Sequence, residues 1–231
     1  GSAWPVMQPD FAAPLETAGV IAMFVAGCTI VSSLASGYVI RRFGTGLITL
    51  VSCMLTAGAL LGISVSPSVV WLIVFAVPLG LGAGAVDAGL NNYVAVHYKA
   101  HHMSWLHCFW GVGATLGPIV MSRYIEHGDS WRDAYRAIFY LQLGLVVLLF
   151  VTLPLWKRKE TAGAAAKETR EEEGRHGDRP AAPEKPLRIK GVKLALLAFL
   201  FYCGAEATIG LWGSSFLVRV KDLSAGTAAQ W

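Results

Sequence analysis

Outside a single stretch, this chain carries almost no charge. Eighteen of its 34 Lys, Arg, Asp and Glu residues fall between Lys157 and Lys193, leaving 16 for the other 194 positions. Charged residues make up 15% of the whole and hydrophobic ones 55%, whereas soluble globular chains carry about 25% charge. So few charges cannot build a water-facing surface, and lipid is the expected solvent. That disfavours a soluble enzyme, a nucleic-acid binder and a disordered signalling chain. Cys28, Cys53, Cys108 and Cys203 sit singly in apolar stretches without CxxC spacing, as small packing residues and not as disulfides or metal ligands.

Crossing a hydrocarbon layer of ~30 Å takes about 20 mostly apolar residues. Six stretches qualify: Ala18–Ile40, Leu47–Val65, Val69–Val96, Ser104–Ile125, Ala134–Trp156 and Val192–Val218. An unpaired backbone group in lipid is costly, so each is expected to be a helix, making the fold all-α and membrane-embedded. Basic residues set the orientation. Arg41 and Arg42 lie in the first turn, Lys99 in the third, and eleven more between Lys157 and Lys193. The opposite side holds five: Arg123, Arg132, Arg136, Arg219 and Lys221. The charged segment 157–191 is therefore expected to be a cytoplasmic linker, with residues 1–17 outside.

The linker separates five spans (18–156) from one (192–231). Its early part has the composition of a surface helix, and Pro180, Pro183 and Pro186 make the rest an extended tether. Residues 1–17 read as the outer end of an absent first helix with its loop, and 192–231 as the truncated start of a second bundle. An offset of 86 aligns Phe24 with Trp110, Gly27 with Gly113, Ser36 with Ser122 and Tyr38 with Tyr124. The two segments run in opposite directions across the membrane, as inverted repeats of transporters do. Chance matching of Gly- and Ser-rich apolar segments is the alternative.

Two acidic residues lie inside apolar spans, Asp87 and Glu206. An ionised carboxylate at mid-membrane costs at least ~2.5 kcal/mol, so such a group faces a cavity, pairs, or takes up a proton. Proton coupling or solute binding follows from this; an interhelical hydrogen bond is the plainer option. Asn91 stands one turn after Asp87 with Asn92 beside it, and these amides suit a hydroxyl-rich solute. His107 and Trp110 share a face of the next span and offer a donor and a stacking ring, or else interfacial packing. Gly80 and Gly84, and likewise Gly113 and Gly117, provide small-residue faces for close helix packing, and Pro118 marks a bend. The glycines near Gly80 lack the strand and βαβ context of a dinucleotide fingerprint.

His97, His101 and His102 resemble one box of the membrane di-iron desaturases. Such a centre needs more histidines than the six this chain has, and headgroup contact is the expected role. No metal, cofactor or covalent intermediate is implied, and no enzyme.

Three segments then carry a resemblance. The turn GYVIRRFGTG places Gly37, Arg42 and Gly44 where the major facilitator superfamily has its loop between helices two and three, with Arg41 where that loop carries aspartate. VDAGLNN (Asp87, Asn91) and FYCGAEATIG (Glu206) are similar to helices four and seven of the fucose–galactose–glucose proton symporters within that superfamily. A basic residue in place of the loop aspartate is also a habit of that group. The chain looks like helices two to seven of twelve. The resemblance implies a proton-coupling role for Asp87 and solute contacts in helix five at His107 and Trp110, where the group carries amides.

The expected function is secondary active transport of a small polar solute, foremost a monosaccharide, by proton symport across the cytoplasmic membrane. Asp87 and Glu206 would serve coupling, and Asn91, Asn92, His107 and Trp110 the solute. Proton-driven export of drugs is the alternative, supported by the glycines and Pro118; a non-transporting membrane sensor or scaffold is the alternative of another class. The partners expected are solute, protons and lipid but no nucleic acid, with a monomer at full length. An epitope inserted between Ala181 and Ala182 should stay unstained on intact cells and stain after permeabilisation; staining of intact cells would reverse the topology.

Overall fold

The computed structural model describes residues 1–174 and 191–230, with side chains through Trp156 and again from Gly191. Among the described residues eight helices follow one another: α1 (Trp4–Asp10), α2 (Thr17–Phe43), α3 (Thr45–Ser64), α4 (Val69–His97), α5 (Ala100–Glu126), α6 (Trp131–Gly174), α7 (Val192–Lys221) and α8 (Ala225–Gln230). One end of the bundle, here the upper end, carries α1, the α3–α4 and α5–α6 turns and α8. The lower end carries the α2–α3 and α4–α5 turns and the start of α7. α6 continues as helix through Gly174, so the first half of the charged linker is helical; residues 175–190 lie outside the described ones.

Among the described residues five helices are long and apolar enough to cross a membrane: α2, α3, α4, α6 as far as Trp156, and α7. The sixth expected span needs correcting on composition. α5 has 27 residues, about 40 Å at the helical rise. Three histidines, two tryptophans and three glycines nevertheless leave it less apolar than its neighbours.

Glycines set the packing of α4. A Cβ at Gly80 would collide with the Val25 carbonyl of α2, and one at Gly84 with the Thr29 carbonyl. Contacts that advance together along both chains make α2 and α4 parallel. On another face, a Cβ at Gly82 would lie 2.6 Å from the Ser52 carbonyl of α3. Hydroxyls close the α2–α4 seam: Thr29 Oγ1 donates to the Gly80 carbonyl (3.2 Å), Ser32 Oγ to Leu81 (2.5 Å) and Ser33 Oγ to Gly84 (3.2 Å). α4 is thus held between α2 and α3, with close backbone packing at small residues and interhelical hydrogen bonds in place of a hydrophobic driving force.

α3 and α6 pack antiparallel. Gly46 meets Trp156 at the lower end, the Gln142 amide donates to Thr56 Oγ1 midway, and Arg132 reaches the end of α3 at the top. Arg132 Nη1 donates to the carbonyls of Ser64 (3.1 Å) and Ser66 (2.8 Å). Its guanidinium also lies over the rings of Trp131 (4.4 Å) and Phe11 (5.6 Å). The helix terminus leaves those carbonyls without intrahelical partners, and the cation satisfies them. Trp131 Nε1 adds a 2.6 Å bond to Asp10. Around these groups Trp4, Met7, Leu72, Met121 and Ala134 form the buried core, which therefore sits at the upper end.

At the lower end α2 passes to α3 through one residue. Gly44 adopts φ 81°, ψ 155°, while its amide donates to the Ile40 carbonyl (2.8 Å). That conformation is nearly confined to glycine. Gly44→Ala should therefore destabilise the protein by about 1–3 kcal/mol, read as a lower Tm in detergent. Arg132→Ala, which strands two carbonyls, should lower Tm by a comparable amount.

Candidate functional site

The candidate residues come from three helices. On α4, Asp87 and Asn91 continue the i, i+4, i+7, i+11 stripe begun by Gly80 and Gly84. The stripe is buried against α2 at the glycines, and it is open at Asp87, which is exposed, and half-open at Asn91. Asn91 Nδ2 donates to both the Asp87 backbone carbonyl and Asp87 Oδ1, each at 2.9 Å. One carboxylate oxygen thus takes an amide hydrogen, and the pair presents the remaining acceptor lone pairs and the Asn91 carbonyl outward. Asn92 is exposed 100° further round the helix, so it does not share their face.

Asp87 lies ten residues above the lower end of α4, about 15 Å. Trp110 lies ten residues above the start of α5, at the same depth. Trp110 is exposed, as is His107 one turn below it. His107 also lines an open groove of about 440 Å³ in the α4–α5 corner, with Tyr98, Lys99 and Ser104. Glu206 lies near the middle of α7, exposed, and hydrogen-bonds the Tyr202 hydroxyl one turn before it. Among the described residues α7 packs on α1, α2 and α8. The structure therefore joins Asp87 to Asn91 and sets His107 and Trp110 at similar depth. It places Glu206 on a separate helix with its own partner.

The other positions divide. Gly80 and Gly84 lie at close approaches to α2. Gly113 and Gly117 have open space where a Cβ would be: among the described residues no helix comes near that face of α5. Pro118 stands inside α5. Arg41 and Arg42 are exposed at the lower end, Arg42 beside the Phe43 ring (5.8 Å) and Arg41 folded back near Gly37.

The histidines of the α4–α5 turn stack with aromatics. His97 lies 4.5 Å from the Tyr93 ring and His102 5.2 Å from Tyr98, while His101 and His102 are 3.9 Å apart. Among the described residues no three His, Cys, Asp or Glu side chains converge on a metal position.

Sequence reasoning passed over the hydroxyls of α2 and Gln142 of α6. Their signal was present, since polar side chains inside an apolar span need partners. A second cavity of about 340 Å³ lies at the upper end, walled by apolar side chains such as Met7, Ile21, Leu72 and Leu79. It offers a hydroxyl-rich solute few partners, and none of the candidate residues lines it.

Two comparisons bear on this arrangement. "Bypass of stop codon protein 6" of Saccharomyces cerevisiae is 26% identical over 207 residues, covering 84% of this chain. The chain spans 41% of that yeast protein's length. Residues 1–230 match the family described as Major Facilitator Superfamily. With its apolar helices, its glycine-packed seams and a match over nearly its full length, the chain belongs to the Major Facilitator Superfamily, a family of multi-pass membrane transporters.

Proposed function

We propose that this protein carries a small polar solute, foremost a monosaccharide, inward across the cytoplasmic membrane together with a proton. The observation that supports this is the Asp87–Asn91 pair, which stands open at mid-helix on α4 just where the packed glycine stripe ends. A carboxylate surrounded by hydrocarbon has its charged form disfavoured. Proton uptake removes that charge, and the loaded carrier can then rearrange without moving an ion through low dielectric. Asn91 and Asn92 offer amides to solute hydroxyls, while His107 and Trp110 at similar depth on α5 offer a donor and an apolar ring face. Glu206, held by Tyr202, is a second proton or hydroxyl acceptor on α7. The Lys157–Gly191 segment serves as the cytoplasmic tether between the two halves.

The resemblance of VDAGLNN and FYCGAEATIG to proton-coupled monosaccharide symporters favours the sugar and the inward direction. A second reading, proton-driven export of apolar or cationic compounds, draws on the apolar cavity at the upper end.

Asp87→Asn keeps the side chain's size and its contact with Asn91 while removing the titrating group. In vesicles bearing the native gene product, this variant should lose sugar accumulation driven by a pH gradient. Sugar exchange at equal pH should stay within about threefold of the parent. Accumulation persisting in the variant would remove Asp87 from coupling. Loss of exchange as well would move it from coupling to binding.

A further inference from the structure

The apolar run of α6 stops at Trp156, and Lys157, Arg158 and Lys159 follow at once in the sequence. At the same end α4 stops at His97, and Tyr98 takes an extended backbone. Such positions lie where hydrocarbon gives way to headgroups, and tryptophan and tyrosine are common there as separate anchors. Here the rings converge. Tyr93, Tyr98 and Trp156, with Leu155, line one open cavity of about 190 Å³ between the ends of α4 and α6.

The walls of this cavity are held from behind. Tyr93 is buried, and its ring stacks on His97 at 4.5 Å. His97 Nδ1 donates to the Tyr93 carbonyl (3.0 Å), which fixes the imidazole against the helix end. Trp156 seats on Gly46 of α3, where an added Cβ would lie 2.7 Å from the Cβ of Trp156. Tyr98 packs on His102 of α5 at 5.2 Å. The Tyr93 ring is inclined by 39° to that of Trp156 (5.1 Å) and by 54° to that of Tyr98 (6.0 Å). Rings so inclined form separate walls and not a closed stack. Every contact named joins α3, α4, α5 and α6, which pack on one another among the described residues.

The chemistry of that space selects one kind of ligand. Aromatic rings attract positive charge through their quadrupole, and none of the four lining side chains is itself charged. A primary ammonium is strongly hydrated and brings three donors that need acceptors, so a cavity of rings and one leucine suits it poorly. A trimethylammonium group has no N–H to satisfy and presents only methyls to the rings. Lys99, next in the chain to Tyr98, stands at the N-terminal cap of α5 and offers a cation to a phosphate beside the cavity.

We infer that Tyr93, Tyr98 and Trp156 form an aromatic cage that holds the trimethylammonium group of a phosphatidylcholine headgroup at the lower end of the bundle. The seated headgroup adds a bridge between α4 and α6 beside the Tyr93–Trp156 contact. None of the candidate solute or coupling residues lines the cage, so the inference does not depend on what the protein carries.

The test titrates the native gene product, in a maltoside detergent, with dihexanoylphosphatidylcholine below its micellar concentration and reads affinity from the rise in Tm. The lipid should bind about fivefold or more tightly than the phosphatidylethanolamine and phosphatidylglycerol with the same chains, and than choline chloride. Tyr98→Leu should weaken binding by about fivefold or more, while Tyr98→Phe, which keeps the ring, should stay within about twofold of the parent. Equal affinity for the three lipids would mean unspecific insertion and overturn the cage, as would a Tyr98→Leu variant that binds like the parent. Choline binding as tightly as the lipid would overturn the headgroup as occupant. Lys157→Gln with Lys159→Gln should leave the affinity unchanged; tighter binding would make the cage a seat for the chain's own lysines and overturn the lipid assignment. The headgroup comparison uses the unaltered protein, so it decides the matter even where a variant fails to fold.

Discussion

Hydrocarbon leaves a buried backbone carbonyl with no water to turn to, and this structure depends on how that constraint is met along α4. Its glycines let α2 and α3 come within backbone contact, and the hydroxyls of Thr29, Ser32 and Ser33 then reach carbonyls of α4 that already sit in the helix ladder. The association needs no hydrophobic difference between protein and solvent, which lipid cannot supply. At the upper end Arg132 satisfies two carbonyls of buried residues where α3 ends, those of Ser64 and Ser66.

The site is a consequence of the same stripe. Where glycines give way to Asp87 and Asn91, α2 leaves that stripe for the Gly89 side, where Ile40 packs, and a face that was a packing seam becomes an open polar one. One periodicity therefore provides rigidity above and a titratable surface below.

Much of this was legible in the residues. Five of the six spans followed from the scarcity of charge, and their bounds agree with the helices to within a few positions outside the linker. The sixth differed in apolarity because α5 gives its surface to His, Trp and Gly, residues that a length criterion alone does not weigh. Gly80 and Gly84 were readable because the spacing that brings them to one face also brings a neighbour to them. Gly113 and Gly117 have the same spacing and no neighbour among the described residues. A small-residue pattern states that a helix can approach and not that one does. The separation of Glu206 from Asp87 was not legible, since packing partners across a linker leave no periodic trace. The bonds of Gln142 and of the α2 hydroxyls were legible in kind, as polar groups needing partners, but not in their destinations.

Proton movement coupled to solute entry is the claim on which the proposed function stands, and a pH electrode outside de-energised, right-side-out vesicles bearing the native gene product measures it directly. Fucose, galactose and glucose are added in turn. The account predicts transient alkalinisation of the medium with at least one of them, absent from vesicles that lack the protein. A silent electrode with all three, given confirmed expression, would contradict it and turn attention to export of apolar or cationic compounds.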